Sequence, residues 1–534
     1  MRRLASYPTP WPARGAAVAV LLAALLIAAL FYRLTEPEPA ISDAIGYLVA
    51  GARLAEGHGP SFEDANNDFA GPFFMPLAFQ VSRPGDTRHF LGFPPGFPAL
   101  LAVGARFNAI QAVVPLLAGL TVAATYFLGL ALGASRGASL WAAGILAATA
   151  AFWQFGTAAW SEIPATLAVA AGMTLYLRSR PPDGRAWLWL PAAIVLSFGH
   201  FIRYSNVTFL AAPAIYELYT ARGKLLTERG RWPFWIAIAA GLVAIPLFNH
   251  TYYGGALITS YSPSHGWYPS PPFAPGYALG PSFVNGYSLR ESLKTLWGNF
   301  PLLLLLAPWG LWRLPRPGGV LAAAAILFGL LPYAFYAFAP AGINSRFLLP
   351  IFPFVAVAVG AALADLLPRL RRPLGWAAGT AIIAALLFLV SGHWTAVTAD
   401  NAAARSTVAR VRELVAPLEP EAVVLSVMYN DLIAVYGGRS VLNYRRIPIS
   451  DPALGRYRTE MLEPCLTGSV ARLRDRAIPV YYIVDQQSPA WDPLPILQRH
   501  FTLTEMGGAT RIVRVGERVA SDVTLDESLC GFAE

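Results

Sequence analysis

Lysine is almost missing from this chain: Lys224 and Lys294 are the only two in 534 residues. Charge of either sign is scarce, at 13% Asp, Glu, Lys and Arg, about half the share usual in soluble domains. Cysteine is limited to Cys465 and Cys530, too few for a disulfide-built scaffold or a four-cysteine zinc site. There is no Walker loop, no G-x-G-x-x-G after a strand, no H-E-x-x-H and no C-x-x-C pair. Readings as a soluble nucleotide-binding protein or a standard zinc hydrolase therefore lack their usual markers. Internal repeats and low-complexity linkers are missing as well.

What the chain has instead is apolar residues, 55% of the total, gathered in long blocks. That is the signature of a many-helix membrane protein. Runs near 20 residues, bounded by charge or by Pro and Gly, predict eleven spans. They lie at roughly 15–34, 109–131, 138–155, 162–178, 186–200, 203–220, 232–250, 296–313, 320–339, 347–367 and 375–392. The first follows an arginine-containing start; at about 20 residues it is long for the apolar core of a signal peptide, and it reads as a retained span. The segment "FPPGFPALLAVGARF" (93–107) is too short to cross alone and is expected at the surface or leading into the next span.

The arginines sort these spans into a topology. "SRPPDGRA", "ARGKLLTERGRW", "WRLPRPGG" and "PRLRRP", with the amino terminus, hold most of the loop arginines. The alternate loops, 35–95, 156–161, 200–206, 251–295 and 340–346, are poorer in basic charge. By the positive-inside rule the first set faces the cytoplasm. An odd number of crossings then carries residues 395–534 outside. Before Thr395 there are 25 Lys+Arg against 14 Asp+Glu, net +11; from Thr395 onward there are 15 against 17, net −2. Basic charge thus belongs to the membrane part and follows its loops, which argues against a nucleic-acid partner.

The tail changes texture. "EAVVLSVMYN", "RSVLNY", "VYYIVD" and "TRIVRVG" read as short strands, and "NAAARSTVARVRELVAPL" as an amphipathic helix before them. The expected architecture is a membrane all-α domain, residues 1–394, with large outer loops at 35–95 and 251–295. A small extracytoplasmic α/β domain of residues 395–534 follows it. Cys465 and Cys530 both lie in that tail, where a disulfide and two buried thiols are equally open readings.

Candidate functional residues gather at the outer ends. "SDAIGYLVAGARLAEGHG" places Asp43 and Tyr47 at i,i+4 on one helix, with Arg53 and His58 after them and Ser42 as a potential cap. "TAAWSEIPATL" puts Glu162 at an outer helix end beside Pro164, "SFGHFIRYSN" brings His200 and Arg203 into a tight turn, and "PAGINSRFLLPIFP" supplies Arg346. The second long loop adds His250, Tyr252, Tyr253, His265 and Trp267. Each has a plain structural explanation: a carboxylate at a helix start, an interfacial aromatic, a solvated histidine. Together, outer carboxylates and outer arginines fit transfer from a phosphate-linked donor, a carboxylate activating the acceptor while arginine steadies the leaving phosphate.

Six segments in order, "ISDAIGYLVAGARLAEGHG", "FPPGFPALLAVGARF", "WSEIPATL", "FIRYSN", "NHTYYGGALITSYSP" and "SRFLLPIFP", resemble the membrane glycosyltransferases of the GT-C fold. The branch is the bacterial group related to aminoarabinose transferases and protein O-mannosyltransferases, and the resemblance covers most of residues 15–392. It implies a polyprenyl-phosphate-linked sugar as donor and a lipid, glycan or protein acceptor reached from the outer face of the inner (plasma) membrane. It also implies inversion at the anomeric carbon. Asp43 falls on the family's catalytic base, Glu162 on its second acidic position, and Arg203 and Arg346 on donor-phosphate contacts. Tyr47, His58, His250, His265 and Tyr253 are the accompanying substrate-binding candidates. Many members carry two adjacent acidic residues in the first loop, where this chain has Asp43-Ala44. That departure leaves no acidic pair for a metal, and a divalent ion held by Asp43, Glu162 and a histidine is the cofactor reading left open. A transporter or flippase, and a non-catalytic envelope assembly protein, are the alternatives; the first would show repeat symmetry and mid-membrane polar groups, and the second would not need Asp43 or Glu162.

Overall fold

The structure is a computed structural model. It describes residues 14–59, 61–76, 78–81, 88–180, 185–221, 232–260, 287–334, 342–426, 429–444, 447, 450–451, 456–457, 461–484, 492–507, 511–519, 527 and 530. Each apolar block is helical, because an unpaired backbone amide in a hydrocarbon setting is too costly to leave outside a helix. Length then separates the eleven expected spans. Among the described residues six helices are long and apolar enough to cross a membrane: Gly15–Leu34, Ile110–Ala131, Trp232–Tyr253, Arg316–Tyr333, Ile343–Arg369 and Arg372–Val415. A seventh is obtained by joining Arg136–Ala147 to Ala150–Gly156 across a 63° bend. The others are short or composite, such as Glu162–Arg178 at 17 residues and Ala186–Ile202, which opens with a 3-10 turn.

The chain divides into two compact units. The first is Met1–Glu36, Gln111–Ile245 and Pro271–Asn401; the second is Pro37–Ile110, Pro246–Ser270 and Ala402–Glu534. Compactness therefore cuts the chain differently from the composition break at residue 394. The first expected outer loop and the tail fall in one unit. The amphipathic helix expected to open the tail is the continuation of the last span, in a single helix of 44 residues, Arg372–Val415.

In the first unit small residues set the helix separations. A side chain on Gly119 would strike the Ala24 carbonyl, and one on Gly360 the Ala138 carbonyl. Backbones approach this closely only where no Cβ intervenes, as is common between helices in membranes. The Phe352–Leu366 helix is buried along nearly its whole length.

The second unit is built on a five-stranded sheet. Its order is Ser440–Val441, Val423–Leu425, Val480–Ile483, Ile512–Arg518 and Phe501–Met506. The first three run parallel and the last two add antiparallel. Four of these strands match the expected ones; Phe501–Met506 was not anticipated. The central strands Val423–Leu425 and Val480–Ile483 are buried on both faces. Cys465 and Cys530 are joined in a disulfide, with Cα atoms 5.2 Å apart.

The first loop folds into that same unit. Phe73 and Phe74 pack among Val423, Leu442, Leu466 and Tyr482 in the tail's core. Phe74 pairs with Leu442 in an antiparallel bridge, and the Asn443 amide donates to the Phe73 carbonyl at 2.9 Å. The short segment 93–107 is the Gly96–Arg106 helix, which does not cross alone; it lies against the Ser42–Glu56 helix, where Gly51 permits close approach to Leu101.

Candidate active site

Three short connectors of the first unit meet at one place. Glu162 opens the Glu162–Arg178 helix, Arg203 ends the Trp189–Ile202 helix, and Arg346 sits in the 3-10 stretch Gly342–Ile351. Glu162 occupies the first turn, where the helix dipole favours a carboxylate, and Pro164 is tolerated there because its missing amide has no helical partner to lose. Arg203 has extended backbone, φ −146° and ψ 121°, which stops the preceding helix and throws the side chain toward Glu162. Asn206 pins this corner: its amide nitrogen donates to the Gly199 carbonyl at 3.0 Å and reaches the Ala165 carbonyl at 3.4 Å.

The carboxylate of Glu162 is 2% exposed. Its Oε1 accepts a hydrogen bond from Arg203 Nη1 and lies 3.3 Å from Arg346 Nε. Arg203 Nη1 also reaches Ser161 Oγ at 3.4 Å. Aromatic rings hold both guanidinium groups. Arg346 lies 4.2 Å from the centroid of Trp160, and the Phe347 ring stands 5.1 Å from Arg203 and 5.4 Å from Arg346. Phe347 stacks on Tyr333 at 5.5 Å, and the Tyr333 hydroxyl bonds Ser205 Oγ at 3.1 Å, which ties the rings back to the Arg203 corner. Cation–π contacts gain strength when the cation is shielded from water.

An isolated buried carboxylate would be expensive, and pairing with guanidinium offsets that cost. Here two arginines approach one carboxylate oxygen. Glu162 Oε2 is buried and has no hydrogen-bond partner among the described residues. Such a centre suits an anion that brings both charge and several acceptor oxygens, as a phosphate does.

Sequence reading named Glu162, Arg203 and Arg346, and the fold brings them together. It did not name Trp160, Phe347, Tyr333 or Asn206. Two of these stood in plain view beside charged positions, in "AWSE" and "SRF", but an interfacial aromatic next to a charge is too common to single out.

Of the remaining candidates, His200 lies in the first unit, in the last turn of the Trp189–Ile202 helix, His265 and Trp267 lie outside the described residues, and the others belong to the second unit. Asp43 is the second residue of the Ser42–Glu56 helix and is partly buried. Ser42 does not cap that helix. The cap position is Ile41, in extended backbone, with no side-chain cap bond. Tyr47 is buried between Phe93 and Phe97, with ring centroids 5.0 and 4.8 Å away. His58 is exposed just beyond Gly57, whose φ of 88° ends the helix in the left-handed region that glycine enters freely. His250 is exposed in the last turn of the Trp232–Tyr253 helix. Tyr253 is buried against Phe90, 5.5 Å between centroids. Among the described residues no three His, Cys, Asp or Glu side chains converge as a metal site.

Comparison with known proteins agrees with this architecture. Residues 104–254, which include Glu162 and Arg203, match the family model described as dolichyl-phosphate-mannose-protein mannosyltransferase. Curated protein sequences give no match. Among solved structures, ArnT from Cupriavidus metallidurans bound to undecaprenyl phosphate superimposes with a TM-score of 0.59 at 13% identity, over 94% of this chain and 98% of that one. The chain has the GT-C glycosyltransferase fold. Other structures sharing this GT-C architecture extend the comparison. The archaeal oligosaccharyltransferase AglB from Archaeoglobus fulgidus, in complex with an inhibitory peptide and a dolichol-phosphate, aligns at TM-score 0.51 and 13% identity, over 96% of this chain and 75% of its own. The arabinofuranosyltransferase AftD from Mycobacteria aligns at 0.51 and 13%, over 95% of this chain and 42% of its own.

Proposed function

We propose that this protein is a polyprenyl-phosphate-dependent glycosyltransferase that moves a sugar to an acceptor hydroxyl or phosphate at the extracytoplasmic face of the plasma membrane. The carrying observation is the buried centre in which Arg203 and Arg346 both approach Glu162 Oε1. A polyprenyl-phosphate sugar breaks its C1–O bond to leave a lipid phosphate, and Arg203 and Arg346 balance the charge that collects there. Glu162 orients the two guanidinium groups. Asp43 takes the acceptor proton as the acceptor oxygen attacks C1, and the configuration at C1 inverts. The undecaprenyl phosphate bound to ArnT and the dolichol-phosphate in complex with AglB support a lipid-phosphate donor. The Cys465–Cys530 disulfide supports an oxidising compartment for the tail. All eleven apolar segments then serve as crossings.

Protein reconstituted in lipid nanodiscs and given radiolabelled polyprenyl-phosphate sugar with a membrane extract of acceptors should transfer label. Asp43→Asn should abolish transfer while expression and insertion persist. Wild-type transfer by that variant would remove Asp43 from the mechanism. Absence of label transfer by the native protein with every polyprenyl-phosphate sugar tried would count against the whole reading. A chelator arm with divalent-metal add-back decides metal dependence in the same assay.

A further inference from the structure

The α/β tail has a place in the fold that bears on Asp43. The Ser42–Glu56 helix starts without a side-chain cap, so its first turn lacks the local bond that usually anchors one. A helix of 15 residues is marginal by itself. Ties to the tail supply what is missing, on both sides of Asp43. Before it, Glu38 pairs with Arg412 at 2.5 Å, and the Pro39 carbonyl accepts a hydrogen bond from the Tyr436 hydroxyl at 3.2 Å. After it, Ile45 is 1% exposed in a core otherwise made by the tail, with Val411, Val415, Leu432 and Ile433; Ala40 and Val49 flank the same cluster. One layer further out, the Ala78 amide bonds Asp431 at 3.3 Å, and Gly46 lets the helix lie directly on Ala78.

We propose that the C-terminal α/β unit is the scaffold that sets the position of Asp43, with Tyr436 and Arg412 as its positioning residues. The inference rests on the reading of Asp43 as the base. The tail then acts on catalysis without touching donor or acceptor: it holds the carboxylate's helix start at the angle proton abstraction needs. Small displacements of a catalytic group lower rate steeply while leaving substrate affinity in place.

The test uses full-length protein in nanodiscs. Tyr436→Phe removes one hydroxyl, and Arg412→Gln removes one charge. Amide hydrogen exchange across residues 42–47 should speed up in each variant, with exchange in the Val480–Ile483 strand unchanged. Turnover should fall about tenfold with the donor KM unaltered; Arg412→Lys should restore part of it. Unchanged exchange at residues 42–47, or faster exchange with wild-type turnover, overturns the scaffold role. The Asp43→Asn variant is assayed alongside. Wild-type transfer by Asp43→Asn removes the base reading by itself, whereas exchange reports on the scaffold whether or not any transfer occurs.

Discussion

The Glu162–Arg178 helix carries a buried ion cluster near each end, and the two are built differently. Past its C-terminal end Arg180 lies 2.7 Å from Glu217, which also accepts from the Tyr176 hydroxyl at 2.6 Å. Arg180 covers the Tyr176 ring at 4.5 Å. Arg180 and the Tyr176 hydroxyl thus reach the same carboxylate oxygen. At the other end two cations meet one anion, and one carboxylate oxygen has no hydrogen-bond partner among the described residues. Both clusters survive burial because charge is paired. Burial of ionisable groups in a membrane protein is thus not by itself a mark of the site; what sets the second apart is its place, where three connectors meet around a buried carboxylate oxygen with no hydrogen-bond partner among the described residues.

Breaking the comparison starts with the two arginines at Glu162. Arg203→Ala and Arg346→Ala should each lower transfer by about 10²–10³-fold, the range for removing one group that stabilises developing charge. Arg346→Lys should recover little, because an ammonium cannot both stack on Trp160 and reach the anion. Initial rates in nanodiscs measure both. At the Glu217 end Arg180→Ala should leave turnover per folded molecule unchanged and cost about 3–5 kcal/mol of stability, the penalty for stranding a buried carboxylate. Thermal unfolding beside activity per active molecule separates the two effects. Equal losses of turnover at both ends would erase the distinction. Tyr176→Phe sharpens it on a smaller scale, at about 1–2 kcal/mol with full turnover.

The smallest effect belongs to a carboxylate that is mostly in water. Glu419 lies below its ordinary range, chiefly because the Tyr481 hydroxyl bonds it at 2.7 Å. Tyr481 is pushed up to about 12, first by burial and then by Glu419. A lowered carboxyl lends stability above its unfolded value, and this fades as pH falls through the folded one; a raised phenol lends stability that fades as pH rises from about 10 toward 12. Melting of the native protein should show both limbs, with a flat region between. Glu419→Gln should flatten the acid limb by a degree or two. An unaltered acid limb in that variant would assign it to other carboxylates.

Much of the first unit could be read in advance. Some of the loops grouped by charge meet by group. Those carrying Glu162, Arg203 and Arg346 converge, while among the arginine-rich set Arg313 and Arg369 share Asp365 at 2.6 and 2.9 Å. Apolar runs and charged loops are written locally, and a helix bundle keeps alternate connectors at opposite ends. The second unit was only half legible. Its strands showed as β-branched runs, but nothing near residues 69–79 announces that Phe73 and Phe74 belong in a core some 370 residues downstream. Tyr47 and Tyr253 looked like substrate contacts and are enclosed by aromatic rings. Periodicity identifies a face of an element and is silent about what will cover it.

The amino-acid sequence alone determined the helices, the alternation of the connectors and the residue types at their ends, because hydrocarbon burial and loop charge act within about twenty residues. Only the tertiary structure decided that two arginines would share one carboxylate oxygen, and that the helix of Asp43 would be fastened by Tyr436 and Arg412. Those outcomes depend on side chains far apart in the chain, whose meeting is set by how close helices and strands can pack.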